Sequence, residues 1–209
     1  MLESRDLACV RGDRPLFEGV NFTLAPGSAL HLVGANGSGK TSLLRLLCGL
    51  SAPAQGDVLW EGENIRVLRE DFFRKLVYIG HAPAVKDDLS AVENLVTSAT
   101  LSGVAVEREQ AREALGRIGL SGREDLPTKV LSQGQRRRVA LGRLLLAVTV
   151  PLWLLDEPFT ALDKRAVNDL RQTIDAHVNA RGMVIYTTHQ DVDLAPGKTQ
   201  RLDLDALLA

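Results

Sequence analysis

The apolar positions of this chain change period twice. In the first third, short apolar runs alternate with turn residues. Val20, Phe22 and Leu24 recur two apart, as on a half-buried strand, and Pro26-Gly27 marks a turn. Ala29 to Val33 reads as a buried strand entering a glycine-rich loop, and Lys40 to Leu50 as a leucine-rich helix ended by Gly49 and the Ser51 to Pro53 stretch. Strands are also predicted at Asp57 to Trp60 and Leu76 to Ile79. From about Leu89 to Ala147 the period becomes helical, with helices predicted at Ala91 to Leu101, Glu107 to Ile118 and Gln133 to Ala147. Strand signals return at Leu152 to Leu155 and Met183 to Thr187. Between them, Val167, Leu170, Ile174 and Val178 recur at helical spacing behind an Asp163 cap. The expectation is one α/β domain over residues 1–209 with a β-rich N-terminal portion and a helical subdomain at 89–147.

Composition narrows the function classes. The chain has 209 residues, 45% hydrophobic and 24% charged, which suits a packed globular protein. The formal charge of −1, from 25 Lys+Arg against 26 Asp+Glu, gives no sign of a nucleic-acid footprint, so no nucleic-acid partner is expected. The stretch MLESRDLACVRGD lacks the apolar core of a secretory signal. The longest nearly apolar run, Leu144 to Leu155, contains Thr149 and Pro151 and falls short of the ~20 residues needed to span a bilayer. Membrane association would therefore go through a partner. Cys9 and Cys48 form no metal or redox spacing; they suit a reducing cytosol and read as small buried hydrophobes.

The strongest chemical signal follows the third predicted strand. Gly34-Ala35-Asn36-Gly37-Ser38-Gly39-Lys40-Thr41 fits G-x-x-x-x-G-K-[ST], with a strand before it and a helix after it. Glycines let the backbone curl so that successive N–H groups point inward, and the helix N-terminus adds partial positive charge. Lys40 would reach the β- and γ-phosphates of ATP, the Thr41 hydroxyl would hold Mg²⁺, and Ser42 follows as a further phosphate-side residue. A chance match to this pattern occurs in roughly one chain of this length per hundred, and the strand-loop-helix context makes it rarer still.

Leu152 to Leu155 is an apolar strand ending in Asp156-Glu157. Ligands of open α/β sheets bind at such carboxyl ends, so Asp156 would face the Mg²⁺ and Glu157 would orient the attacking water. Taken alone, the pair reads equally well as a solvated strand cap. His189 lies just past the next strand, where it either contacts the γ-phosphate or is structural. Ser132 and Gln135 make a capping box for a helix start, and the same first turn, with Gly134, is also an anion site.

With these pieces in view, the chain resembles the ATP-binding subunits of ATP-binding-cassette (ABC) transporters. GANGSGKT, LSQGQRRRVALGR, LWLLDEP, TALD and TTH occur in that family's order from Gly34 to His189. LSQGQ ahead of the carboxylate strand separates the family from kinases and small GTPases. The resemblance implies the P-loop NTPase fold of the ABC type and a second copy of the chain as partner, packed head to tail with ATP sandwiched between. It implies that Ser132 and Gly134 face the γ-phosphate held by that second copy, with Gln135 a further cofactor-binding residue beside them, that Asp163 communicates across the interface, and that His189 is the γ-phosphate switch. Three positions depart from the family, of which Gln133 for the usual Gly of the LSQGQ loop is a mild change. Arg11 stands where most relatives have an aromatic that stacks on adenine; its guanidinium either stacks in that role or is an exposed loop arginine. His81 stands where the family has a Mg²⁺-contacting Gln; it either touches metal or water or only shapes the loop.

Within the family, Arg11 to Phe17, Tyr78 to His81 with Pro83 and Lys86, and Leu154 to Asp163 resemble the heme exporter ATP-binding subunits of bacterial cytochrome c maturation. That resemblance implies integral membrane transporter subunits of the maturation complex as partners and a peripheral place on the cytoplasmic face of the bacterial inner membrane. The chain is short for the family, and no regulatory extension is expected after His189. Rival readings are an ABC transporter subunit for another substrate and a soluble ABC-type ATPase on nucleic acid or ribosomes. The latter proteins usually carry a long coiled-coil insertion or two cassettes, and one copy of each motif is present here.

Overall fold

The computed structural model describes residues 1–207; the last two residues of the predicted domain lie outside the described residues. Two sheets form the body. The first is antiparallel, in the order β2-β1-β4-β5, from β1 (Leu2–Arg11), β2 (Arg14–Leu24), β4 (Gln55–Trp60) and β5 (Glu63–Asn64). The second is parallel, in the order β6-β7-β8-β3-β9, from β3 (Ala29–Val33), β6 (Leu76–Ile79), β7 (Leu152–Leu155), β8 (Met183–Thr187) and β9 (Thr199–Asp203).

Apart from its polar edge strand β9, the parallel sheet is buried on both faces, which is why its other strands read as largely apolar runs rather than alternating ones. On one face Leu30, Leu32, Leu152, Leu154, Met183 and Ile185 pack into a core shared with the antiparallel sheet and with α1 (Lys40–Leu47). On the other, Trp153, Leu155, Val184 and Tyr186 pack against Leu141 and Leu144 of α6 (Gln133–Leu146) and Leu170, Ile174 and Val178 of α7 (Lys164–Asn179). Alternate residues of one strand thus serve two cores, as a period of two requires.

A third apolar cluster belongs to α4 (Ala91–Leu101), α5 (Arg108–Arg117) and the inner face of α6, around Val92, Leu95, Ala111, Leu115 and Val139. Each of these helices starts with a reciprocal capping box: Ser90 with Glu93, Glu107 with Gln110, and Ser132 with Gln135. Helix α6 therefore faces both the helical cluster and the parallel sheet.

Two short helices that the apolar pattern did not reveal, α2 (Ile65–Leu68) and α3 (Glu70–Phe73), connect β5 to β6. Helix α1 ends at Leu47 rather than Leu50, because Gly49 adopts φ 73° and turns the chain. Both cysteines are free and buried, and burial pushes the Cys48 thiol up to about 11.

Candidate functional site

The loop 34–39 joins the carboxyl end of β3 to the start of α1. Gly34, Gly37 and Gly39 all take positive φ, at 145°, 86° and 102°. Conformation and space both demand glycine at Gly39, where a Cβ would stand 2.9 Å from the Phe17 ring. Lys40 bends back along the loop and donates from Nζ to the Gly34 and Ala35 carbonyls at 2.7 and 2.9 Å. The Ser38 hydroxyl is buried inside the curl with no hydrogen-bond partner.

Strand order then decides what meets this loop. Strand β8 lies between β3 and β7, and Thr187 at its carboxyl end fills the space between them. Asp156, just past β7, is almost fully buried. One of its oxygens accepts from Thr41 Oγ1 at 2.8 Å and the other from Thr187 Oγ1 at 3.0 Å. The Glu157 amide in turn donates to Thr187 Oγ1 at 2.9 Å. A threonine that sequence reasoning passed over thus links the two carboxylate residues; its signal was its place in TTH, two residues before His189.

Glu157 is also inward-facing, its side chain 14% exposed. Oε2 accepts from the His189 amide at 3.3 Å. Oε1 stands 3.5 Å from His189 Nε2 without the alignment of a hydrogen bond, and it is buried with no partner. The Glu157 backbone sits at φ 51°, a left-handed conformation that costs a non-glycine residue roughly 1 kcal/mol or more. Burial rules out a solvated strand cap for the pair.

The predicted residues fall into two groups. The loop 34–41, Ser42 in the first turn of α1, Asp156, Glu157 and His189 gather at the carboxyl ends of β3, β7 and β8. Ser132, Gly134 and Gln135 open α6, and no hydrogen bond joins them to the phosphate loop among the described residues. Gly134 meets a neighbouring segment, since a Cβ there would lie 2.7 Å from the Ala161 carbonyl. Asp163 caps α7 through the Ala166 amide and pairs with Arg138; the amide bond first, and the guanidinium after it, hold its carboxyl below the usual range. The side chains of Arg11 and His81 are exposed and make no hydrogen bond or ion pair among the described residues.

Two further residues complete the site. Asp205 follows β9 and accepts the Ala35 amide with both carboxylate oxygens, at 3.0 and 2.8 Å, bracing the loop from a point 170 residues away. Arg137, inside the stretch LSQGQRRRVALGR, is buried.

The donor set fits Mg²⁺. Thr41 and Asp156 offer hard oxygen ligands side by side, and Mg²⁺ binds through one or two such protein groups plus phosphate oxygens rather than in an all-protein cage.

Residues 17–160 match the family model described as ABC transporter. The chain is 54% identical over 203 residues to the "Cytochrome c biogenesis ATP-binding export protein CcmA" of Nitrosospira multiformis, covering 97% of this chain and 98% of that protein. Its identity to the protein of that name from Aromatoleum aromaticum is 52% over 209 residues, covering 100% and 97% of the two chains. The chain belongs to the ABC transporter family, among the cytochrome c biogenesis ATP-binding export proteins. A solved ATP-binding subunit of an ABC transporter superposes with a TM-score of 0.81 at 27% identity, covering 90% of this chain and 79% of that one. The two-sheet architecture is accordingly that of an ABC ATPase cassette.

Proposed function

We propose that this chain is the ATP-hydrolysing subunit of an export complex for cytochrome c biogenesis, powering heme export or delivery. The observation that carries the chemistry is the chain of contacts Thr41–Asp156–Thr187–Glu157, which joins the phosphate loop to a buried carboxylate with an unpartnered oxygen. The substrate class rests on the 54% identical relative named for cytochrome c biogenesis.

In this reading the amides of the loop and Lys40 grip the ATP phosphates, and Asp205 keeps the loop in shape. Thr41 and Asp156 would hold Mg²⁺, with His81 as a further candidate near metal or water; the ion would neutralise charge on the β- and γ-phosphate oxygens. Glu157 accepts the proton of the attacking water through Oε1, the oxygen no other group occupies. His189, exposed on its outer side, reaches the γ-phosphate. Arg11 flanks the adenine ring of ATP. The first turn of α6, with Ser132, Gly134 and Gln135, completes the site of a second copy packed head to tail.

Residues 89–147 form the helical subdomain of the cassette, built around the apolar cluster of α4, α5 and the inner face of α6. No helix among the described residues is long and apolar enough to cross a membrane. The membrane contact is made through integral membrane subunits, from the cytoplasmic face of the inner membrane.

The test is complementation of a bacterial strain lacking its own subunit of this kind. This chain should restore holocytochrome c and co-purify with integral membrane proteins, and Lys40→Ala should restore nothing. A protein that hydrolyses ATP but is recovered on ribosomes or DNA, with no rescue, would overturn the assignment.

A further inference from the structure

Arg137 donates to four main-chain carbonyls from two different strands. Nη1 reaches Gly80 O at 2.7 Å and His81 O at 3.2 Å, beyond the end of β6. Nη2 reaches Asp156 O and Glu157 O, both at 2.8 Å, beyond the end of β7. These strands pair in parallel, and the last rung past their ends is the Asp156 amide on Ile79 O at 2.8 Å. The guanidinium takes over where that ladder stops. It is 3% exposed, so the carbonyls it holds have few other donors within reach.

Its neighbours on α6 serve other segments. Arg136 binds Thr128 O and Asp87, and Arg138 binds Asp163. Arg137 alone of the three grips the two residues that carry the proposed metal ligand and base. Glu157 there holds a left-handed φ of 51°, a conformation that persists only when its surroundings enforce it. The Thr187 hydroxyl on the Glu157 amide and Arg137 on the Glu157 carbonyl supply that enforcement from both sides of the residue.

We propose that Arg137 is a positioning residue for ATP hydrolysis: it sets the Glu157 carboxylate through the main chain and couples it to the 80–81 loop, so that displacement of that loop is felt at the base. This rests on the ATPase reading above. The planar fork of arginine is essential, because its two terminal nitrogens each serve one strand end, whereas the single nitrogen of lysine cannot span both.

The full-length protein would be compared with Arg137→Lys and Arg137→Gln by phosphate release, ATP-analogue binding and thermal melting. The expected result for either folded variant is a kcat lower by about 10- to 100-fold, as small misplacements of reacting groups produce. KM and the analogue Kd should stay within about three-fold, since the phosphate loop is untouched. Wild-type kcat in Arg137→Lys would overturn the proposal. So would a loss of kcat matched by an equal loss of analogue binding, the mark of general structural damage.

Hydrogen exchange on the wild-type protein provides a reading that no folding failure can remove. An ATP analogue should slow exchange in the segments around 80–82 and 156–157 together. Slowing of one segment without the other overturns the coupling. Wild-type protein that released no phosphate would sink the ATPase reading itself, before any variant is compared.

Discussion

Thr41 Oγ1 and Asp156 Oδ2 stand 2.8 Å apart, joining the first turn of α1 to the end of β7 across 115 residues of chain. The other Asp156 oxygen is held by Thr187. Hydroxyls from two elements thus orient a carboxylate that is 2% exposed, and both oxygens are aimed before any cation arrives. Asp156→Asn would keep the shape and lose one acceptor and the charge. The Mg²⁺ concentration giving half-maximal ATPase activity is expected to rise by about 10- to 100-fold. A Mg²⁺ titration of phosphate release checks this, and an unchanged requirement would remove Asp156 from the metal.

Glu157→Gln removes the proton acceptor but keeps an oxygen for the His189 amide, so the local backbone has no reason to move. Turnover should fall by about 10²- to 10⁴-fold, the usual contribution of a positioned base. ATP-analogue binding should remain within a few-fold, and the ATP-bound form should accumulate as a dimer visible by size-exclusion chromatography. Retained turnover would mean that another group takes the proton.

What the sequence made legible follows from how locally each feature is specified. Strands β6, β7 and β8 and helix α4 match the apolar pattern to the residue, because each is a run with one period bounded by strong turn or cap residues. Strand β1 escaped notice: its Arg5-Asp6 interruption breaks the alternation, and the register against β2 and β4 shifts there. Strand β9 escaped because Thr199, Gln200 and Arg201 are mostly polar edge residues; only its pairing with β3 makes it a strand. The loop and the carboxylate pair were readable because phosphate chemistry demands those residue types at short spacing. Thr187, Asp205 and Arg137 were not, since their roles arise from strand order and from contacts over 31, 170 and up to 57 residues. Arg136, Arg137 and Arg138 are consecutive in the chain, yet they hold three separate parts of the protein.

Ser132→Arg tests whether the start of α6 acts on a second copy. Ser132 is exposed and makes its capping bonds only to Gln135, so a large cation there disturbs no packed core. Loss of the cap should cost about 1 kcal/mol of stability. ATP-analogue binding to the monomer should stay near wild type, because the phosphate loop lies elsewhere in the same chain. Hydrolysis should fall by at least about ten-fold if this surface completes a neighbour's site. Equal loss of binding and hydrolysis would make the helix start purely structural.

His177 gives the protein an acid-sensitive point away from the nucleotide. Its ring stacks on Trp153 at 3.7 Å between centroids, and its Nε2 is buried with no partner. It packs so close to Gly182 that a Cβ there would fall 2.2 Å from Nε2. Burial pushes its pKa down from 6.5 to about 4, only partly opposed by nearby main-chain groups. Above 6.5 the imidazole is neutral in both folded and unfolded chains. Between 6.5 and about 4 only the unfolded chain takes up the proton, so stability is lost as the pH falls through that window and no further below it. The loss from this one group is at most roughly 3 kcal/mol. Urea unfolding at about pH 7.5 and about pH 5 should therefore show a smaller pH-dependent loss in His177→Gln than in the wild type. The variant will be less stable at both values, having lost the stacked ring, so the decisive quantity is the difference between the two pH values. Equal differences in the two proteins would show that carboxylates, rather than this histidine, dominate the acid response.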